Sequence, residues 1–196
     1  CELMRYAVRD AAGAIGARLL YPDRTIQHAG VTVGMGNAAG HAHRGLPEHA
    51  AGYFAHALVA HRAIAVTAAC LLVRHDRFEA VGGFDEAGLR IAFNDVDLCL
   101  KLHHAGFENY YVPSAVLIHH ESKSRGLDMA PEHLERYRTE FATLQARWGT
   151  ATYCDPTHHP VLDRGSENYR PEFVFCALQH DGSAPEGAYS RSPGLS

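Results

Sequence analysis

Residues 81–126, VGGFDEAGLRIAFNDVDLCLKLHHAGFENYYVPSAVLIHHESKSRG, combine a double-glycine turn, an acidic helix start and an apolar run that ends in a histidine pair. Gly82 and Gly83 allow positive φ angles, so the backbone can turn sharply there. Apolar residues then recur at helical spacing between Asn94 and Gly106. This spacing predicts a helix with Asn94 as its N-cap and Gly106 at its end.

Asp95 and Asp97 fall in the first turn of the predicted helix. The helix dipole favours the ionised carboxylate at that end, and only the ionised form can accept a proton as a general base. Acidic residues are also common at these positions simply because they complement the dipole. The pattern therefore indicates a candidate base and leaves this structural alternative open.

Two extended segments follow the predicted helix. Residues 109–112 predict a strand that Pro113 ends, and residues 115–118 predict a second extended run that leads to His119 and His120. A histidine pair at the end of a strand is either solvated and hydrogen-bonded or placed to bind a metal ion. Taken in order, these elements are typical of a site that handles a hydroxyl proton near a metal-bound anion.

The flanking sequence predicts a scaffold for this stretch. Residues 14–21 and 66–73 predict buried strands, and residues 25–33 predict a strand that returns as a hairpin. An apolar stripe at helical spacing predicts a helix that begins near Pro131 and ends before Gly149. The predicted fold class is α/β, a mostly parallel central sheet with flanking helices and an antiparallel hairpin.

Residues 34–45, GMGNAAGHAHRG, allow two interpretations. His41 and His43 could bind a metal ion, and the glycines could cradle a phosphate. No strand-to-helix phosphate loop follows, however, so we predict a mobile loop. Such a loop could still line the acceptor site, because loops on rigid scaffolds often carry binding residues.

Composition restricts the partners and the compartment. The chain has 196 residues, a net charge of −4 and a pI near 6.4, so it lacks the basic footprint of a nucleic-acid-binding protein. Its five scattered cysteines predict a reduced, cytoplasmic compartment. The most apolar run, residues 63–73, is too short to span a bilayer, so membrane contact would be peripheral. We predict one domain over residues 1–178 and a disordered tail over residues 179–196.

The motifs GGFDE, FNDVDLCLKL, AGF, YVP and HHESKSRG keep an order and spacing that resemble the acceptor-side half of family 2 glycosyltransferases with the GT-A fold. The resemblance is strongest to bacterial rhamnosyltransferase-like enzymes of polysaccharide synthesis, and DPTHHPVL at residues 155–162 resembles their closing segment. It implies that the family's nucleotide-binding half, with its Asp-x-Asp metal ligands, is missing from this sequence. A chain without that half is expected to be inactive by itself.

The resemblance also implies a chemistry. A sugar would move from a nucleotide diphosphate sugar to a hydroxyl of a glycan or lipid-linked acceptor, with inversion and with a divalent cation, Mn or Mg. Asp95 would be the catalytic base, with Asn94 in place of the family's common Glu. His119 would bind the metal, and His120 is the alternative ligand. Residues that would contact the acceptor or the diphosphate are Gly82, Gly83, Asp85, Asp97 and Arg125.

Two other function classes stay open at this point. The chain could be a non-catalytic remnant of such an enzyme that binds a glycan or a protein partner. It could also be a metal-binding module, since it contains 15 histidines. The histidines lack the compact spacing of known zinc sites, which favours the transferase interpretation over the metal-binding one.

Overall fold

A computed structural model describes residues 2–120 and 131–172. Arg125 and the predicted disordered tail, residues 179–196, lie outside these ranges. Within them, no helix is long and apolar enough to cross a membrane. The helices and strands are α1 (Met4–Ala7), β1 (Ala12–Leu20), β2 (Ile26–His28), β3 (Val31–Val33), β4 (Ala39–His41), β5 (His61–Ala63), β6 (Leu71–Leu72), α2 (His75–Ala80), α3 (Asn94–His104), β7 (Glu108–Ile118) and α4 (Leu134–Trp148).

Strand β1 is the centre of a five-stranded mixed sheet with the order β2-β1-β7-β5, and β6 also pairs with β1. The longest pairing, β1 with β7, is parallel, whereas the short strands β2, β5 and β6 all pair antiparallel. The α/β fold class is confirmed, as is the antiparallel return of β2 onto β1. Strands β3 and β4 form a separate two-stranded sheet.

The whole of β1 is buried, as its run of small and apolar residues predicts. Gly16 lets the Val66 segment approach closely, because a Cβ at Gly16 would lie 2.5 Å from the Val66 Cβ. Asn109 ties β7 to its neighbours: its side-chain amide donates to the Ile64 and Cys99 carbonyls at 2.8 and 2.9 Å, and its Oδ1 accepts from the Ala14 amide at 2.8 Å. This buried amide therefore joins β1, β7 and α3.

Strand β7 continues through Pro113, so the prediction of two separate extended runs was wrong. The pairing with β1 steps from Ala17↔Val112 directly to Arg18↔Val116. The residues between these pairs, including Pro113, bulge out of the ladder. Proline has no N–H to donate, and a bulge is where a strand can accommodate it.

Two cores cover the two faces of the sheet. Tyr110 and Tyr111 are adjacent in β7, so their side chains point to opposite faces. Tyr111 packs with Leu98 of α3 in the larger core, and Tyr110 packs with Ala7 of α1 in the smaller one. A third buried cluster lies away from the sheet, between the β3–β4 hairpin and the last described segment, and consists of Met35, Ala42, Leu162 and Tyr169.

Two further predictions were wrong. Residues 66–73 contain only the two-residue strand β6, because Thr67 caps a short 3-10 turn, Ala68–Cys70, by accepting the Ala69 amide at 3.3 Å. Residues 34–45 are not a loose loop. They contain a 3-10 turn and strand β4, which pairs with β3, and the chain there buries Met35 and His43.

Candidate active site

Helix α3 starts at Asn94, and its N-cap is Phe93 instead of the predicted Asn94. Phe93 adopts a left-handed conformation with φ = 61°, and its carbonyl accepts the Asp97 amide at 2.9 Å. Asn94 is therefore already inside the helix. The prediction was wrong by one residue because the chain enters α3 through a turn that the cap preference of Asn does not describe.

The Asp95 carboxylate is half-buried and held by two backbone N–H groups. Its Oδ2 accepts from the Ala68 amide at 2.9 Å, and its Oδ1 accepts from the Val96 amide at 2.9 Å. An ionised carboxylate offers about four acceptor positions, so two remain for other donors. Asp95 is thus fixed in position and keeps free acceptor positions on its carboxylate.

His28 supports the segment that holds Asp95. Its Nδ1 donates to the Ala17 carbonyl at 2.9 Å, and its Nε2 accepts from the Thr67 amide at 3.2 Å, next to Ala68. These bonds require a neutral ring with its proton on Nδ1. Burial is the main cause that lowers the pKa of His28 to about 3, with a smaller contribution from His41. His28 is a structural support for Asp95.

Asp97 faces the interior and is fully buried. Its Oδ1 accepts from the Arg147 guanidinium at 2.8 Å and from the Trp148 indole N–H at 2.9 Å. Its Oδ2 lies 2.8 Å from the Lys101 ammonium, one helical turn further along α3. These partners surround the Asp97 carboxylate, which favours a role in orienting the first turn of α3 over the predicted contact with a substrate.

Asp85 closes the turn after the double glycine. Its Oδ1 accepts from the Ala87 and Gly88 amides at 3.0 and 2.8 Å, and its Oδ2 accepts from Arg147 at 2.6 Å. The Gly88 amide, followed by the Arg147 side chain, lowers the pKa of the Asp85 carboxyl to about 2. Asp85 is therefore ionised and paired at neutral pH.

The double glycine ends helix α2. Gly82 is exposed with φ = 77°, and Gly83 is buried with φ = 61°. The Gly83 amide donates to the Phe78 carbonyl at 2.9 Å, and a Cβ at Gly83 would lie 2.8 Å from the Phe78 ring. Backbone geometry and packing account for both glycines, and their predicted contact with the acceptor stays a prediction.

Replacing Gly83 with Ala is expected to destabilise the protein more than replacing Gly82 with Ala. Both changes put a side chain on left-handed backbone, at a cost of about 1–2 kcal/mol each. Gly83→Ala also crowds the Phe78 ring, which adds about 1–3 kcal/mol, whereas nothing lies within 4 Å of the Gly82 position. Urea unfolding of both variants measures the difference, and equal losses would contradict the close packing at Gly83.

His119 sits at the carboxyl end of β7. Its amide donates to the Leu20 carbonyl at 2.9 Å, and its Nδ1 lies 2.9 Å from Oε1 of Gln27. Donation from Nδ1 to an amide oxygen leaves Nε2 with a lone pair, which is the arrangement of many metal-binding histidines. His120 is exposed. His119 is therefore the better oriented of the two candidate ligands.

The predicted site residues divide into groups. Asp85 and Asp97 meet through Arg147, and Asp97 shares the first turn of α3 with Asp95. His119 shares no hydrogen bond with these carboxylates among the described residues, and its side chain contacts Gln27 of β2, next to His28. In the part of the chain that the structure describes, no three His, Cys, Asp or Glu side chains are arranged to hold a metal ion.

Comparison with known proteins gives partial matches. No family model matches the chain. It is 46% identical over 161 residues, 82% of its length, to the uncharacterized protein y4gI of Sinorhizobium fredii. It is 42% identical over 162 residues to the O-antigen biosynthesis protein RfbC of Myxococcus xanthus. Over 82 residues it is 39% identical to an N-acetylglucosaminyl-diphospho-decaprenol L-rhamnosyltransferase of Mycobacterium tuberculosis.

These relatives are much longer than the matched segment. The chain spans 18% of y4gI, 12% of RfbC and 26% of the rhamnosyltransferase. The two longer matches cover 82% of this chain, so they include its middle, where Asp95 lies. The similarity therefore concerns the segment that contains the candidate base.

Several residues that organise the site were not predicted. Arg147 and Trp148 were seen only as the end of an apolar helix stripe, and Thr67 and Ala68 were assigned to a strand. Their roles depend on contacts across 27 to 62 positions of sequence, which local patterns do not carry. No local pattern marked them, because the burial of Asp97, which requires a partner of opposite charge, is itself a property of the fold.

Proposed function

We propose that this chain is the acceptor-side part of an inverting, metal-dependent family 2 glycosyltransferase of polysaccharide synthesis, with Asp95 as its catalytic base. The single observation that carries the proposal is the fixed, half-buried Asp95 carboxylate at the start of α3. The names of two relatives, an O-antigen biosynthesis protein and a rhamnosyltransferase, support the choice of reaction.

Asp95 is preferred over the two neighbouring carboxylates because of what each one contacts. Asp97 is fully buried among Arg147, Trp148 and Lys101. Both oxygens of Asp85 are engaged by backbone amides and Arg147. Asp95 has only two backbone donors and is partly accessible. Of these three carboxylates, it is the one that retains room for an incoming hydroxyl.

The proposed reaction moves one proton, forms one carbon–oxygen bond and breaks another. The acceptor hydroxyl transfers its proton to the Asp95 carboxylate as its oxygen forms a bond to the anomeric carbon of the donor sugar. The bond between that carbon and the diphosphate oxygen breaks on the opposite side, so the nucleoside diphosphate leaves and the configuration inverts. General base catalysis of this kind contributes about 10²–10⁴-fold to the rate.

A divalent cation, Mn²⁺ or Mg²⁺, would neutralise the leaving diphosphate when bound. Among the described residues, His119 is the one predicted ligand for this cation. Its Nδ1 contacts Gln27, so its Nε2 is left able to bind the metal. A single neutral imidazole is a weak ligand for such a hard cation, so carboxylates must complete the site. By the resemblance, those would be the Asp-x-Asp carboxylates of the nucleotide-binding half.

Replacing His119 with Ala is expected to lower metal-dependent sugar transfer about 10–100-fold, because the proposed site loses a ligand. His120→Ala, a neighbouring exposed histidine, is the matched control and should stay within a few-fold of the unchanged protein. The assay uses protein complete with a nucleotide-binding half and measures release of nucleoside diphosphate from a panel of nucleotide diphosphate sugars, with Mn²⁺ and with a lipid-linked glycan extract as acceptor. A rate for His119→Ala within a few-fold of that of the unchanged protein would remove His119 from the metal site.

The same assay tests the function as a whole. Turnover of a nucleotide diphosphate sugar that chelators abolish would support the proposal. Binding of a glycan without turnover of any donor, in a protein complete with a nucleotide-binding half, would favour the non-catalytic binding role instead. Zinc retained at one equivalent after purification would favour the metal-binding module.

A further inference from the structure

Helix α4 contacts the start of α3 through two adjacent residues at its C-terminal end. The Arg147 guanidinium donates through one nitrogen to Asp97 Oδ1 at 2.8 Å and through the other to Asp85 Oδ2 at 2.6 Å. The Trp148 indole N–H donates to the same Asp97 oxygen at 2.9 Å. A single planar guanidinium therefore joins the turn after the double glycine to the first turn of α3.

The same helix contacts the segment that leads into α3. Glu140 is 3% exposed, and its carboxylate accepts the Ile91 amide at 3.2 Å and the Ala92 amide at 2.8 Å. These amides lie two and three positions before Asn94, where α3 begins. Helix α4 thus holds the chain on both sides of the Phe93 turn, and Asp95 follows this turn directly.

Lys101 completes the link from the other side of α3. Its ammonium pairs with Asp97 Oδ2 at 2.8 Å and donates to the Gly83 carbonyl at 3.1 Å. The contacts of Asp97 with Arg147 and Trp148 therefore fix α3 against α4. Its contact with Lys101 links α3 to the double-glycine turn, because Lys101 also binds Gly83. The Asp97 side chain is 0% exposed, so these contacts form away from water.

The contacts of Arg147 with Asp97 and Asp85 fix the direction of these side chains as well as neutralising their charge. A buried carboxylate must be paired, because an unpaired charge in the interior is strongly destabilising. Arginine presents its donors in a rigid fork that can hold two carboxylates at fixed angles, whereas lysine offers one compact charge. Asp97 lies two residues after Asp95 in one rigid turn, so a rotation of Asp97 would also move Asp95 relative to Ala68.

We propose that Arg147 is a positioning residue for Asp95: by bridging Asp97 and Asp85, it sets the orientation of the first turn of α3 and therefore the direction of the candidate base. This inference rests on the proposed function for its kinetic consequence. Its structural part, the orientation of Asp95 toward the Ala68 amide, does not depend on that function.

Arg147→Lys tests the structural part, with Arg138→Lys, an exposed arginine of the same helix, as the matched control. Amide hydrogen exchange is measured at Ala68, Val96 and Asp97, whose N–H groups report the position of Asp95 and of the first turn. We expect exchange to become about tenfold faster at these amides and to stay unchanged in β1. Unchanged exchange, or an equal increase in β1, would overturn the proposal.

The kinetic part uses the donor-turnover assay. Arg147→Lys is expected to lower kcat about tenfold or more with the acceptor KM within a few-fold, because the base is misdirected while binding is kept. A rise in KM alone would contradict positioning. Trp148→Phe removes one donor to Asp97 without removing a charge and should show a smaller change of the same kind. If a protein complete with a nucleotide-binding half has no transferase activity, the proposed function fails, whereas the exchange result, measured on this chain, still decides the positioning role.

Discussion

Asp95→Asn, in a protein complete with a nucleotide-binding half, is expected to lower the rate of sugar transfer about 10²–10⁴-fold, since an amide cannot accept the proton of the acceptor hydroxyl. The fold should survive. One end of the new amide still accepts a backbone N–H, and the other end places its NH₂ against either the Ala68 or the Val96 amide. The lost hydrogen bond costs about 1 kcal/mol of stability, a small loss compared with the effect on rate.

The measurement compares kcat for this variant with that of Asp76→Asn. Asp76 lies in the first turn of α2 and is exposed, so it is a carboxylate at a helix start without the Asp95 surroundings. Asp76→Asn should leave the rate unchanged. If Asp95→Asn also retained a rate within a few-fold of the unchanged protein, the base would have to be sought at Asp97 or Asp85.

Lowering the pH from 7.5 to 5.5 is expected to remove roughly 2–3 kcal/mol of folding stability, because the protein holds a cluster of neutral histidines that are buried or half-buried. The His43 ring lies 5.5 Å from His56 and 4.5 Å from Tyr169, and the His56 and His61 rings are 3.6 Å apart. Neither ring nitrogen of His43 has a hydrogen-bond partner among the described residues. A proton on this ring would have no acceptor there.

The sign of the effect follows from the pKa shifts. Burial lowers the pKa of His43 to about 4 and that of His56 to about 3, below the ordinary value of 6.5, and His61 shifts in the same direction. Their contribution to stability is present above pH 6.5 and is lost as the pH falls toward 4. In this range the histidines bind protons in the unfolded chain and stay neutral in the folded chain, so a lower pH favours the unfolded state. At the neighbouring His158, the Asp155 carboxylate raises the pKa, but burial has the larger effect and the pKa is lowered there too.

The size of the effect is set by the two fully buried histidines, one in this cluster and one that supports the segment holding Asp95. His28 and His43 are each 0% exposed. Each costs at most about 1.4 kcal/mol per pH unit below 6.5, so the pair removes roughly 2–3 kcal/mol at pH 5.5. Domains of this size are stable by only about 5–15 kcal/mol. The loss should therefore be large, and it precedes titration of the carboxylates, whose ordinary pKa values lie near 4.

Urea unfolding at several pH values measures this loss directly. His43→Phe keeps an aromatic ring without a titrating group. Below pH 6.5, the slope of its unfolding free energy against pH should therefore correspond to about one proton fewer taken up on unfolding. His75→Phe is the control, because the His75 side chain is 84% exposed and its replacement should leave the slope unchanged. A stability that stays flat from pH 7.5 to 5.5 would mean that the cluster relaxes and admits protons.

Local patterns were sufficient for the elements whose signals lie within one segment. The apolar stripe and Gly149 predict α4, which ends at Trp148 with Gly149 in the left-handed conformation. The unbroken apolar run predicts β1, and the hairpin predicted over residues 25–33 corresponds to the antiparallel pairing of β2 with β1. In these elements, periodicity and turn residues act over a few positions, so the sequence alone contains the physical cause.

Other features depended on contacts between distant segments. Residues 66–73 have the composition of a buried strand, yet Thr67 turns the chain and the Ala68 amide binds Asp95, 27 positions away. Residues 34–45 have the composition of a loop, yet the Gly36 amide donates to the Arg164 carbonyl at 2.9 Å and the His43 amide donates to the Glu167 carbonyl at 2.6 Å. In both cases a long-range hydrogen bond outweighs a local preference of about 1 kcal/mol or less.

The candidate site shows the same division. The sequence by itself determined that Asp95, Asp97 and the double glycine flank one helix start, because helical spacing and the order of motifs are local. Only the tertiary structure decided which carboxylate is free to act: Arg147 and Trp148 occupy Asp97, Arg147 also occupies Asp85, and two backbone amides leave Asp95 half-open. A charge is neutralised by whatever the fold brings within about 3 Å of it, and the spacing of residues along the chain does not specify that neighbour.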